Sequence, residues 1–405
     1  MIVGSLFVAA LLLLSSVATA GASWVPAHPP PSAGAPVSSP TYPTPIRHII
    51  VIMDENEEDT TTLSEPYEKN LSKEYAYAAN FWATAHDSPR DYVAATSGSS
   101  SDRWNQTVTS LAPLLDAQGE SWAEYEEAMP YACDVAPEQP ADSLYASGHN
   151  PFVRYQDVSA DHPYCLEHEL VYNAASFAKT LADGTLDSYT WITPDDCHDA
   201  HGTPAGGACP TGAATDRAGD VWLSQLIPKV IASPEWKSTA IFILYDEGEG
   251  DDGPNGTGGG HVYSVVVSGD GRTDYQSHIQ YDTYDVLTTT EWLLGLGHTG
   301  LNDSWTVHPP MYDLFQSGSS STFKLTLHVV SAATGSPVEG AWANTTVNGV
   351  REECGDRTTA AGYTSCYLRD GTYPFTFAAK GYDGQSRNEV VSGTTVAPVV
   401  RMEAT

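Results

Sequence analysis

Basic residues are scarce in this chain: 18 lysines and arginines stand against 51 acidic residues, a formal net charge of −33. That scarcity argues against nucleic acid as a partner, because affinity for phosphate backbones rests on Lys and Arg. It also argues against electrostatic docking to anionic lipid. Beyond the N-terminus no hydrophobic run is long enough to span a bilayer, and no repeat of solenoid period is visible. Cysteine is limited to six residues. Proximity along the chain favours the pairs Cys133–Cys165, Cys197–Cys209 and Cys354–Cys366 in an oxidising compartment. The alternative for Cys197 is metal ligation with His198 and His201. Extreme acidity with few lysines fits a secreted protein meeting acid or high salt, since low pH neutralises carboxylates and relieves self-repulsion.

The long apolar stretch, Ile2 to Ala20, ends in the small residues Ala18-Thr19-Ala20 and reads as a signal peptide or an uncleaved N-terminal anchor. Residues 21–45, rich in Pro, Ser and Ala, read as a linker. Asn70, Asn105, Asn255, Asn302 and Asn344 begin glycosylation sequons that suit an exported chain. Residues 46–315 alternate apolar strands with helical stretches, the signature of an α/β domain with a mainly parallel sheet flanked by helices. Helices are expected at Pro66–Ala79, Ser110–Gln118, Ser121–Met129, Ala175–Ala182, Val221–Ala232 and Asp285–Leu296. A second linker covers 316–322, and 323–405 changes to short alternating strands with Gly-Tyr turns, an all-β sandwich pattern. Trp82, Trp122, Trp191, Trp222 and Trp292 fall in core-forming patterns.

The strongest local signal is the stretch His48 to Glu58, HIIVIMDENEE. A β-branched run (Ile49, Ile50, Val51, Ile52) ends in Asp54, Glu55, Asn56, Glu57 and Glu58. Buried parallel strands read as continuous apolar runs, and their carboxyl ends are where open α/β sheets place ligand sites. Carboxylates gathered there repel one another unless a cation sits among them. The pattern recurs at Thr239 to Glu247, TAIFILYDE, where Asp246 and Glu247 follow the strand. Glycines crowd the next segment, as a loop wrapping a site closely requires. Two such strands in one sheet would bring four oxygen ligands together over one or two divalent metal ions. Oxygen ligands suit Mg, Ca or Mn, and nearby imidazoles extend the choice to Zn or Fe.

Between the two acidic pairs lies ATAHDSPRDYVAATSG, residues 83–98. Ser88 precedes a helical stretch, where it is either an N-cap or a nucleophile beside backbone N–H groups that favour an anionic substrate. A metal beside its Oγ would lower the hydroxyl pKa and activate it without a histidine base.

The strings IRHIIVIMDEN, AHDSPRDYVAATSG, SWAEYEEAMP, HNPFVRY, YTWITPDDCHDAH, GDVWL, TAIFILYDEGEG and TTTEWLLGLG resemble, in this order, the phosphoesterase family of acid phosphatases and bacterial phospholipases C. That family belongs to the alkaline phosphatase superfamily. The resemblance implies an alkaline-phosphatase-like α/β fold and metal binding by Glu55, Asn56, Asp246 and Glu247. It implies Ser88 as nucleophile, with His149 and His201 as catalytic histidines. Arg90, Asp91, Asp199 and His261 are expected around the substrate. The chain departs from the family pattern at Asp91, where relatives carry Asn, at Pro89 and Arg90, and at Thr283-Tyr284-Asp285, where relatives carry His-Tyr-Ser. His278 or His261 are the expected substitutes for the imidazole lost at Thr283. Residues 323–405 resemble carboxypeptidase-regulatory-like β-sandwich modules, which implies an accessory unit, possible cell-surface attachment and a Cys354–Cys366 staple. The implied activity is a secreted, metal-dependent acid phosphatase acting on small phosphate esters. The alternatives are a phospholipase C-type diesterase acting on phospholipid headgroups, or a catalytically weakened binding protein on the same scaffold.

Overall fold

The computed structural model describes residues 44–405 except 138, 141–142, 203–208, 210–212, 251–252, 254–257, 317–321, 348–349, 356, 370 and 393–397. The expected signal peptide or anchor, nearly all of the first linker and most of the 316–322 linker lie outside the described residues.

Ile49 to Met53 are fully buried, and the strand His48–Asp54 is the centre of an eight-stranded sheet. In spatial order the strands are Glu169–Val171, Trp122–Glu126, Tyr189–Thr193, His48–Asp54, Thr239–Tyr245, Ser264–Ser268, Ala76–Ala78 and Tyr275–Ser277. Neighbours run parallel except where Ser264–Ser268 pairs antiparallel with Thr239–Tyr245 and Ala76–Ala78. This is the mainly parallel α/β sheet that the apolar runs predict.

Register, more than composition, places the site. His48–Asp54 pairs with Thr239–Tyr245 so that Asp54 lies opposite Tyr245. The Asp246 N–H then donates to Asp54 O at 3.0 Å. The residues that follow each strand, Glu55-Asn56 and Asp246-Glu247, therefore emerge side by side at the carboxyl edge.

Two expected helices are corrected. Ser121–Met129 holds the strand Trp122–Glu126 instead, because it is hydrogen-bonded between Tyr189–Thr193 and Glu169–Val171. Pairing partners on both sides outweigh the helix propensity of its Ala and Glu residues. The helix from Pro66 stops at Glu74, because Ala76–Ala78 pairs with Ser264–Ser268 and Tyr275–Ser277. The remaining helices appear at Ala112–Gln118, Ala174–Asp183, Ala213–Ile231 and Thr283–Leu294, within a few residues of expectation except at the N-terminus of the third. Trp122, Trp191, Trp222 and Trp292 are buried, whereas Trp82 is half-buried against His261.

All three expected disulfides are present. Cys197 is thus bonded to Cys209 rather than to a metal, and His198 turns to Glu127 and Asp195.

C-terminal to residue 321 a second, separate hydrophobic core forms around Leu325, Leu327, Phe375, Phe377, Val400 and Met402. It lies between the sheet Tyr363–Arg369, Thr322–Ser331, Val399–Met402 and the sheet Val350–Glu353, Trp342–Val347, Gly371–Ala378, Gln385–Val391. Strand Tyr363–Arg369 alternates exposed and buried residues along its length, as one face on a core requires. Among the described residues no helix is long and apolar enough to cross a membrane.

Candidate active site

Ser88 opens the helix Ser88–Ser97, and its Oγ lies 3.2 Å from Glu55 Oε2 and 3.2 Å from Glu247 Oε1. One hydroxyl therefore bridges the carboxylates of both strand ends. The backbone before it is strained: Asp87 adopts φ 115°, a conformation that side-chain-bearing residues rarely hold. Such strain persists only where the surroundings over-determine it.

Here the surroundings are visible. Asp87 N donates to Glu247 Oε2 at 3.2 Å, and His86 Nδ1 lies 2.5 Å from the same oxygen. His86 Nε2 faces Gly250 O at 3.0 Å. Tyr92, one turn into the helix, donates from its hydroxyl to Glu55 Oε1 at 2.9 Å. His149 stacks on the Tyr92 ring and brings Nε2 to 3.2 Å from Glu55 Oε1. Each bridging carboxylate is thus fixed from behind by an aromatic or an imidazole.

The glycine-rich segment closes the other side. Gly248 N donates to Gly259 O, Gly250 N to Glu58 Oε1, and Ala83 N to Gly260 O. A Cβ on Gly259 would stand 2.5 Å from Ala83 O, so only glycine permits this approach.

Burial and like charge dominate the electrostatics. Burial, then Asp246 and Asp199, hold Glu55 well above the usual carboxylate range. Burial pushes Asp246 up to about 7. Burial and then Asp196 push Asp199 up to about 8. Asp54 is raised by burial and then by Asp199 and Asp246. His149 is pushed down to about 3, first by burial and then by Arg154 and His201, so its imidazole is neutral. Among the described residues both carboxylate oxygens of Asp54 and Asn56 Oδ1 are buried without a hydrogen-bond donor. Buried acceptors that lack donors, gathered among like charges, fit a bound cation. The donor set is mostly oxygen, with the imidazole of His149 grouped beside Asp196 and Asp199, which suits a divalent metal.

The other expected site residues divide. Asp199 is buried and caps the chain that follows, accepting from His201 N and Gly202 N, while its own carbonyl receives Glu55 N. His201 is exposed at the rim. Arg90 is nearly half exposed and reaches 3.4 Å from Asp87 Oδ2. Asp91, expected at the substrate, is fully buried. It accepts from Thr84 N at 2.6 Å, Ala85 N at 3.2 Å and Thr283 Oγ1 at 3.0 Å, so it anchors the loop that leads to Ser88. Two of the departures from the family pattern, Asp91 and Thr283, are therefore hydrogen-bonded to each other. His261, also expected at the substrate, turns instead to Ala79 O at 3.1 Å, to Asp59 and to the Trp82 ring. His278 is exposed, and its carbonyl accepts from Asn80. Thr283, where the resemblance implies an imidazole, donates its hydroxyl to Asp91.

The sequence reading names Asp54 among the strand-end acids but gives no metal or catalytic role to it, to His86 or to Tyr92, although all three lie in the blocks that carry the resemblance. The usable signal was position: His86 precedes Ser88 by two residues and Tyr92 follows it by one helical turn.

These features define an α/β protein whose candidate nucleophile, at a helix N-terminus, faces carboxylates from two adjacent strand ends. The chain belongs to the phosphoesterase family, whose profile matches residues 61–297. It is 27% identical over 267 residues to a phosphate-repressible acid phosphatase of Penicillium chrysogenum, covering 62% of this chain and 60% of that protein. It is 28% identical over 246 residues to an acid phosphatase of Aspergillus fumigatus, covering 57% of this chain and 51% of that one. The chain thus spans half to three-fifths of the length of these relatives. Among solved structures, a Vibrio parahaemolyticus protein of the alkaline phosphatase superfamily superposes with a TM-score of 0.45 at 13% identity, covering 64% of this chain and 69% of that chain.

Proposed function

We propose that this protein is a secreted, metal-dependent phosphoesterase that hydrolyses small phosphate monoesters through Ser88, as an acid phosphatase does. The observation that carries this reading is the Ser88 hydroxyl 3.2 Å from both Glu55 and Glu247. Glu55, Asn56, Asp246 and Glu247 would hold the metal. Bound there, a divalent ion would neutralise phosphoryl oxygens and lower the pKa of a neighbouring hydroxyl.

The chain's own groups account for the rest. Ser88 Oγ attacks phosphorus in line, and its proton passes to the Glu55 or Glu247 carboxylate it already faces. Tyr92 and His149 keep Glu55 aimed at the hydroxyl, and His86 with the Asp87 N–H does the same for Glu247. Arg90, exposed in the first turn, offers its guanidinium to the remaining phosphate charge. His201 at the rim protonates the leaving alkoxide. Water then displaces phosphate from the phosphoserine and restores Ser88. Phosphoryl transfer asks mainly for positioning and charge neutralisation, which this arrangement provides. Export from the cytoplasm is supported by the disulfides, and we assign the C-terminal sandwich an accessory role, including cell-surface attachment.

The test is hydrolysis of p-nitrophenyl phosphate and bis(p-nitrophenyl) phosphate, with and without EDTA, by the wild type and Ser88→Ala. Turnover that EDTA suppresses and that falls by at least ~10³-fold in the variant is the expected result. A Ser88→Ala protein that keeps wild-type turnover would refute the serine mechanism. Preference for the diester would replace the phosphatase reading with that of a diesterase.

A further inference from the structure

Away from Ser88, a second group of carboxylates surrounds one imidazole. Glu291 comes from the helix Thr283–Leu294, His298 and Asp303 from the loop after it, and Glu352 from the sandwich strand Val350–Glu353. His298 Nδ1 lies 2.9 Å from Glu291 Oε2 and 3.8 Å from Asp303 Oδ2, while Nε2 lies 2.8 Å from Glu352 Oε1. Glu291, Asp303 and Glu352 are all buried.

A neutral imidazole has one N–H and one lone pair, yet both nitrogens here face acceptor oxygens. Donation from Nε2 to Glu352 leaves the Nδ1 lone pair pointing at two carboxylates. A proton on Nδ1 would offset one of the three carboxylates and leave two buried negative charges, whereas a divalent cation in its place would offset two and leave one. Glu291 Oε1, fully buried, has no hydrogen-bond donor among the described residues. The remaining contacts hold the ligands in place. Trp305 Nε1 donates to Glu291, Thr299 Oγ1 and Gly300 N to Asp303, and Ser304 Oγ to Glu352. A carboxylate on the far nitrogen is how proteins fix the tautomer of a metal-binding histidine. The ligand atoms of Glu291, His298 and Asp303 lie within 4.8 Å of one another. A tetrahedral ion needs them about 3.3 Å apart, a shift of a few tenths of an ångström for the close pair. A cleft of about 440 Å³ opens beside His298 and Asp303 and leaves room for water as a further ligand.

We propose that Glu291, His298 and Asp303 form a second divalent-metal site, of the zinc or manganese class, with Glu352 as a positioning residue from the sandwich. Imidazole with carboxylates suits these ions. Because Glu352 belongs to the sandwich, the site ties that unit to the helix whose first residue, Thr283, supports Asp91.

The test strips the full-length protein with EDTA, restores Zn²⁺ or Mn²⁺, and counts bound ions by elemental analysis in the wild type, His298→Gln and Asp303→Asn. Each variant is expected to hold one ion fewer than the wild type and to lose part of the metal-induced rise in Tm, while Asp303→Asn keeps its hydrolytic activity. Equal ion counts in wild type and variants would overturn the proposal and leave His298 as a protonated bridge. Should His298→Gln not fold, anomalous scattering from zinc-soaked wild-type crystals decides: a peak between His298 Nδ1 and Glu291 supports the site, and its absence overturns it.

Discussion

Three glutamates with no role in the proposed chemistry give the sharpest test of how this fold responds to pH. Glu124, Glu126 and Glu169 are buried in the wing of the main sheet. Register sets Glu124 opposite Glu169, and Glu126, two residues on, returns to the same face. Phe152 N donates to one oxygen of Glu124. Among the described residues the other oxygen of Glu124 and one of Glu126 have no donor other than a neighbouring carboxyl, and Glu169 meets Glu124 and the Asn150 amide. Burial, then Glu169 and Glu126, hold Glu124 well above the usual range, and burial pushes Glu169 up to about 8.

The folded state therefore favours the protonated acids. The stability that these acids contribute is complete below the ordinary carboxyl value of 4.5, declines as pH rises, and is lost as pH passes about 8. At ~1.4 kcal/mol for each tenfold change in proton affinity, the three acids together cost the fold on the order of 5 kcal/mol across that window. Glu169→Gln keeps the shape, cannot ionise, and supplies an amide donor to Glu124. Thermal melts of wild type and variant between pH 4 and pH 8 should diverge, with the variant higher at pH 8 by roughly 10 °C. Parallel Tm profiles across that range would refute the reasoning. A loss of this sign matches the composition: 51 acidic residues with 18 basic ones suit a protein that works in acid.

Two further outcomes follow from the site. Tyr92→Phe removes the hydroxyl that aims Glu55 and leaves the ring that supports His149, so kcat should fall about tenfold with little change in KM; an unchanged kcat would mean that Glu55 needs no such orientation. Gly259→Ala places a methyl 2.5 Å from Ala83 O, a backbone atom that cannot swing away. Its expected cost is about 1–3 kcal/mol, read as a lower Tm together with reduced turnover, and wild-type values for both would show that the loop is not held as closely as the distance implies.

Much of the site was legible in the sequence because its signals are local. The apolar run from Ile49 to Ile52 forces a buried strand, and the acids beyond Asp54 and Tyr245 have nowhere to go but the strand end. Ser88 before an apolar helical stretch is likewise a local pattern, as are the cysteine pairs separated by short loops. The misread segment Ser121–Met129 marks the boundary of that legibility. Its Ala and Glu residues favour a helix in isolation, and only the neighbouring strands Tyr189–Thr193 and Glu169–Val171 make it a strand.

What the tertiary structure alone decided are relations between residues far apart in the chain. The register of Asp54 against Tyr245 brings two acidic pairs to one hydroxyl. Asp91, read as a substrate contact, is buried against Thr283 and anchors the Ser88 loop, whereas His261 faces Ala79 O and Asp59. The same holds for Glu124 against Glu169 and for His298 between two cores. Local sequence sets which residues are acids, turns or strands. Whether a buried carboxyl is a ligand, an anchor or a proton store depends on the charges and donors that folding places within about 4 Å of it, and those come from elsewhere in the chain.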